Sequence, residues 1–171
     1  MQIPEKLEAA LSDQVTMELA AATTYLQLAI ELESLDLTGM ASWMRAQSEE
    51  ERVHADKFIA HMVDRGSTPK IGTIEGPQLE VSIAVDAFEA ALAHEQHVSA
   101  SIRDLYRLAE SEGDLDCRPL LHWFLDEQLE EEATVGEIVN RLKLTGDDGG
   151  GLLRMDAELG ARNPAVQGDN E

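Results

Sequence analysis

Apolar residues recur at steps of four and three along most of the chain. Leu7, Leu11, Glu18, Ala21, Tyr25, Leu28 and Leu32 share one stripe, with Gln14 filling the single missing step. The pattern stops at "SLDLTG". A second stripe runs through Met40, Met44, Gln47, Glu51, His54, Phe58 and Met62. A third holds Val85, Phe88, Leu92, Glu95, Ile102, Tyr106 and Ala109, and a fourth Leu121, Phe124, Gln128, Glu131, Val135, Ile138 and Leu142. This is the period of an α-helix with one buried face. Pro4 suits a first turn, Gly66 a C-terminal cap, and Pro119 is tolerated in the first turn of the fourth helix. The spacing predicts helices over about 5–33, 39–65, 82–111 and 116–144. "TGDDGGG" breaks the fourth. A short amphipathic helix over about 150–160, within "LLRMDAELG", precedes a polar tail at 161–171.

Helices of roughly 27 residues are about 40 Å long. Short turns join the first to the second and the third to the fourth, so those neighbours run antiparallel. The stretch 66–81, "GSTPKIGTIEGPQLEV", shows no helical period. Extended, its roughly 16 residues span about 50 Å, enough to cross the whole bundle. The second and third helices can therefore run parallel. The expected fold is all-α: an antiparallel four-helix bundle with a long crossover between helices 2 and 3 and a short fifth helix, one domain over 1–171.

Composition agrees, with 43% hydrophobic residues, 4% aromatics and a net charge of −21. Such a surface repels nucleic acid and anionic membranes and attracts cations. One cysteine, Cys117, excludes an internal disulfide and a CxxC metal knuckle. The N-terminus "MQIPEKLEAA" carries no basic-then-apolar signal, and no run of 18 apolar residues occurs. A soluble cytoplasmic protein is expected.

Each stripe is interrupted by polar residues near the middle of its helix: Glu18 with Gln14, Gln47-Glu51-His54, Glu95, and Gln128-Glu131. Midpoints of equal helices meet at one height whichever way the helices run. Four carboxylates and one imidazole, with glutamines beside them, thus converge on one buried layer. Singly, a run such as Glu49-Glu50-Glu51 is most often a solvated face, a lone histidine structural, and a tyrosine such as Tyr25 or Tyr106 packing. Jointly, interruptions on four separate helices point to a metal. Burying an unpaired carboxylate costs several kcal/mol. No Lys or Arg shares these stripes at that level, and Arg52 faces about 100° away from Glu51. Two divalent ions would balance four carboxylates, and oxygen-rich ligands with one histidine suit iron or manganese better than zinc. Glu50, Glu127 and Glu130 stand beside these stripes as an annex or as a solvated flank.

The chain resembles the bacterial non-haem ferritins along nearly its full length. The matching pieces are "MELAAATTYL", "EEERVHAD", "AHEQHV", "WFLDEQLEEE" and "NRLKLTGDDGGGLLRMDAEL". The resemblance implies a di-iron centre in which Glu18 and His54 bind the first iron and Glu51 bridges both. Glu95 and Glu131 would bind the second, with Gln128 beside it. Tyr25 would sit next to the pair as an electron donor. Glu50, Glu127 and Glu130, with Glu131, look like the family's third iron site. Family members form hollow shells of 24 subunits, with the fifth helix at the four-fold axis. Bacterioferritins differ: they carry a histidine where this chain has Glu130, and a haem-ligating methionine where it has Arg52. No haem is expected. Mini-ferritins lack the fifth helix, and rubrerythrins add a cysteine-rich iron domain.

These features imply an iron-storage ferroxidase that oxidises Fe²⁺ with O₂ or H₂O₂ and delivers Fe³⁺ to a mineral core in a homo-oligomeric shell. A di-iron oxygenase or peroxide-reducing protein with a retained metal pair is the alternative, and a purely structural bundle with protonated acids a third reading. Asp114 and Asp116 are candidates for a three-fold channel or, equally, for helix capping. His61, His94, His97 and His122 carry no assigned role.

Overall fold

Five helices form where the stripes put them: α1 Glu5–Ser34, α2 Thr38–Asp64, α3 Ala84–Ser111, α4 Arg118–Thr145 and α5 Gly149–Ala161. The computed structural model describes residues 2–161. The tail expected at 161–171 lies outside the described residues, except for Ala161, which closes α5.

Helix ends follow local hydrogen bonding. α2 stops at Gly66, whose φ of 81° lets Ser67 N–H reach back to the Met62 carbonyl at 2.9 Å. α1 ends the same way without glycine: Asp36 takes φ 60°, and Leu37 N–H bonds the Leu32 carbonyl at 3.0 Å. α3 starts at Ala84 rather than 82. The Asp86 carboxylate accepts the N–H groups of Ser82 and Ile83, at 2.9 and 3.0 Å, and holds them outside the helix. α4 starts at Arg118 rather than 116, after a turn in which Asp114 Oδ1 accepts the Cys117 N–H at 2.9 Å.

Two apolar clusters fix the topology. One joins the C-terminal half of α1 (Leu28, Leu32), the start of α2 (Met40, Met44), the start of α3 (Phe88), the end of α4 (Ile138, Leu142) and α5 (Met155, Leu159). The other joins the start of α1 (Leu7, Leu11), the end of α2 (Phe58, Met62), the end of α3 (Ile102, Leu105) and the start of α4 (Leu121, Phe124). Hence α1 and α4 run one way, and α2 and α3 the other, as the long crossover allows. The crossover follows α1, where Lys70 N–H reaches Ser12 Oγ at 3.3 Å and Gly72 N–H reaches Thr16 Oγ1 at 2.9 Å. It arrives at the opposite end with Leu79 and Val81 against the first cluster.

The stripe expected on α3 needs correction. Val85, Leu92 and Tyr106 are only half-buried, and the buried face is Ala84, Ala87, Phe88, Ala91, Val98, Ile102, Leu105 and Ala109. Alanines carry little apolar signal, so their larger neighbours define the stripe in sequence. Small residues there let α3 approach the bundle closely.

α5 lies across the start of α2. Gly39 sits so close that a Cβ there would come within 1.9 Å of the Asp156 carbonyl oxygen. Asp156 Oδ1 accepts the Met40 N–H at 2.8 Å and so caps α2 from the far end of the chain. Among the described residues no helix is long and apolar enough to cross a membrane.

Candidate metal centre

Between the two apolar clusters lies a polar layer built from one stretch of each long helix. Glu18 comes from α1, Gln47, Glu51 and His54 from α2, Glu95 from α3, and Gln128 and Glu131 from α4. All are buried, Glu18 and Glu95 at 0% exposure. The run Glu49-Glu50-Glu51 divides by helical rotation: Glu49 is exposed, Glu50 half-buried and Glu51 buried. Arg52 turns outward and pairs with Glu49 at 3.9 Å.

Glu18, Glu51 and His54 each bring one ligand atom to within 4.8 Å of the others. His54 Nδ1 lies 3.3 Å from Glu51 Oε2. The imidazole is wedged edge-on between Trp123 and Phe124, with ring centroids 5.6 Å away in both cases. Glu95 is fixed by two donors: the Tyr25 hydroxyl, in a short hydrogen bond to Oε1, and Gln128 Nε2, 3.0 Å from Oε2. Glu131 Oε2 accepts Gln47 Nε2 at 3.1 Å. Glu18 Oε1 accepts Gln14 Nε2 at 2.7 Å, while Glu18 Oε2 is buried and receives no hydrogen bond. Glu50, His54 and Glu127 form a second group with ligand atoms within 4.8 Å. Glu130 is exposed and outside that group.

The electrostatics follow from burial without counter-charge. Burial first, then the Glu51 charge, pushes the Glu18 carboxyl well above its ordinary range. Burial and the neighbouring Glu95 do the same to Glu51, and they raise Glu131 to about 9. Glu95 is also raised by burial, although the donors from Tyr25 and Gln128 work against the rise. Burial and then Glu95 push the Tyr25 phenol well up. Burial raises Glu50 and Glu127 too. Glu18, Glu51 and His54 form a candidate cation site, with Glu95 and Glu131 in the same layer but outside that group; a divalent ion there would displace the protons and supply the missing charge. The all-oxygen and imidazole donors fit iron.

Sequence reasoning did not assign Gln14 and Gln47 a role. Each stands four residues before a candidate ligand on the same stripe, and that spacing was the available signal. The unassigned histidines lie elsewhere. His61 Nε2 is 3.2 Å from Cys117 Sγ, in a network with Arg65, which clasps both oxygens of Asp114 at 3.0 and 2.6 Å. Burial would raise the Asp114 carboxyl, but the Arg65 guanidinium and the Cys117 N–H outweigh it and hold it below its ordinary value. Asp114 therefore caps and braces the α3–α4 turn and is not a free ligand for a passing cation; Asp116 stays half open at 3.9 Å from Arg65. His122 pairs with the Tyr106 hydroxyl at 2.9 Å. His94, lowered to about 4 by burial and then by His97, leaves Nε2 buried without a partner, and His97 is exposed.

Residues 8–145 match the profile of the Ferritin-like domain family. The chain is 34% identical over 160 residues to a bacterial non-heme ferritin of Bacteroides fragilis, covering 94% of this chain and 99% of that one. It is 34% identical over 161 residues to the bacterial non-heme ferritin of Staphylococcus epidermidis, covering 94% and 97%. Among solved structures, the open pore ferritin of Archaeoglobus fulgidus superposes with a TM-score of 0.92 at 37% identity, over 95% of this chain and 100% of that one.

Proposed function

The chain belongs to the ferritin family, and from that premise we propose that it stores iron, oxidising Fe²⁺ in the mid-bundle layer and passing Fe³⁺ to a mineral inside a shell of its own copies. The observation that carries the reading is the buried Glu18–Glu51–His54 group, which no lysine or arginine neutralises in any ion pair among the described residues. Fe²⁺ is the substrate. The first ion binds Glu18 and His54, the second Glu95 and Glu131, and Glu51 bridges them. Each carboxyl gives up its proton as the metal arrives, so uptake releases acid. Each Fe²⁺ loses one electron, and O₂ or H₂O₂ takes two from the pair. Tyr25, bonded to Glu95, stands ready as a further electron donor. The acids hold the more highly charged Fe³⁺ more strongly, but Gln128, the neutral amide beside Glu95, adds no charge to the grip on the second ion. That weaker hold favours passage of oxidised iron to the cavity. The half-buried Glu50 and Glu127 beside His54 suit an outer station on this path, with Glu130 beyond it.

The relatives' length and the short α5 support assembly into a closed shell, for which we propose 24 subunits, in the cytoplasm. Fe²⁺ added in air should yield Fe³⁺ absorbance much faster with the protein than in buffer. After desalting, scattering should report a large particle that retains far more iron than a pair per chain. Oxidation no faster than in buffer overturns the reading. A retained pair and nothing more would indicate an oxygenase or peroxide-reducing protein instead.

A further inference from the structure

The hydrogen bonds to Glu18 are unequal, and the inequality continues outward. Gln14, itself 1% exposed, gives its amide N–H to Glu18 Oε1 at 2.7 Å. Its own Oε1 accepts the Ser101 hydroxyl from α3 at 2.6 Å. Ser101 lines a groove of about 210 Å³ between α1 and α3, next to Asp13 and Asp104. A metal-bound carboxylate only accepts hydrogen bonds, so it selects the NH₂ face of the Gln14 amide. The amide oxygen is then turned to Ser101, whose hydroxyl must donate. Glu18 Oε2, on a side chain at 0% exposure, receives no amide or hydroxyl hydrogen bond, and its carboxyl has only the Glu51 carboxyl and His54 as neighbours in a 4.8 Å group.

We propose that Gln14, braced by Ser101, is the positioning residue that makes Glu18 a one-oxygen ligand, occupying Oε1 and presenting Oε2 to the first Fe²⁺. This rests on the mid-bundle layer being the ferroxidase centre. The chain of bonds sets both the rotation of the carboxylate about its last torsion and the oxygen that faces the metal. Partners that orient a ligand are typically worth about 10–100-fold in metal affinity. The effect is confined to the first metal, because Glu95 and Glu131 have their own donors in Tyr25, Gln128 and Gln47. Ser101 acts only through Gln14, and its groove can admit a water in its place, so its removal has the smaller effect.

The test is calorimetric titration of the iron-free shell with Co²⁺, beside Fe²⁺ oxidation kinetics. Gln14→Leu should weaken the first Co²⁺ per chain about 10–100-fold and leave the second nearly unchanged. KM for Fe²⁺ should rise while kcat holds within about twofold. Ser101→Ala should weaken the same Co²⁺ by less, and the double variant should be no worse than Gln14→Leu alone, since the two act in series. A purely structural role would lower Tm and weaken both metals alike. First-metal affinity at the wild-type level in Gln14→Leu, or an additive double variant, overturns the proposal while the ferroxidase reading stands. Should Gln14→Leu fail to fold, an unchanged first affinity in Ser101→Ala overturns it as well. A wild-type protein that binds no Co²⁺ overturns both.

Discussion

At the scale of single residues, the layer's acids make the iron-free protein sensitive to base. A carboxyl whose folded pKa lies above its unfolded value binds more protons when folded, so stability falls as pH rises between the two. Glu131, raised to about 9, opens a window from about pH 4.5 to about 9, and Glu18, Glu51 and Glu95 act in the same direction. The melting temperature of the apo protein should therefore decline across that window. A divalent ion requires the ionised acids, so the gap between metal-loaded and apo melting curves should widen with pH; a constant gap would contradict the arrangement. Glu51→Gln keeps the shape and removes the group that must take up a proton to be buried. At pH 7 it should stabilise the apo protein by about 1–3 kcal/mol and abolish rapid iron oxidation, as read by thermal melts and stopped-flow absorbance. The acids were legible because each breaks an apolar period where a charge has no business without a partner. The amides were not. Gln14 and Gln47 fit a helical stripe passably, and only distances of 2.7 and 3.1 Å to Glu18 and Glu131 reveal what they do.

At the scale of elements, the helices and the crossover could be read from periodicity alone, because amphipathic repeats are local. Their ends shifted by about two residues where Asp86 and Asp114 bond to backbone N–H groups just outside the helix. The seat of α5 was not legible. "LLRMDAELG" shows an amphipathic helix but not the surface that receives it. That surface depends on Gly39, more than a hundred residues earlier, and on Asp156 reaching back to Met40. Gly39→Ala places a methyl group 1.9 Å from a backbone oxygen that cannot rotate away. It should cost about 1–3 kcal/mol and lift α5 off α2. Limited proteolysis would then cut between α4 and α5 well before it cuts wild type. Co²⁺ uptake by the layer should persist, because none of its residues lies on α5.

At the scale of the whole molecule, the net charge of −21 and the absence of buried lysine or arginine among the described residues make sense for a protein that gathers iron. Neither charge nor spacing could disclose how many copies associate, since that depends on surfaces meeting other surfaces. The two apolar clusters have a further consequence. Each end of the rod is glued independently, and the waist between them holds buried acids with no counter-charge. Without metal, the backbone around Glu18, Glu51, Glu95 and Glu131 should open while both ends stay closed. Deuterium uptake measured by mass spectrometry should be fastest there, and ferrous ion or a redox-inert substitute should slow it in all four helices at once. Iron would then be more than the cargo: it would be the clasp that turns two half-rods into one.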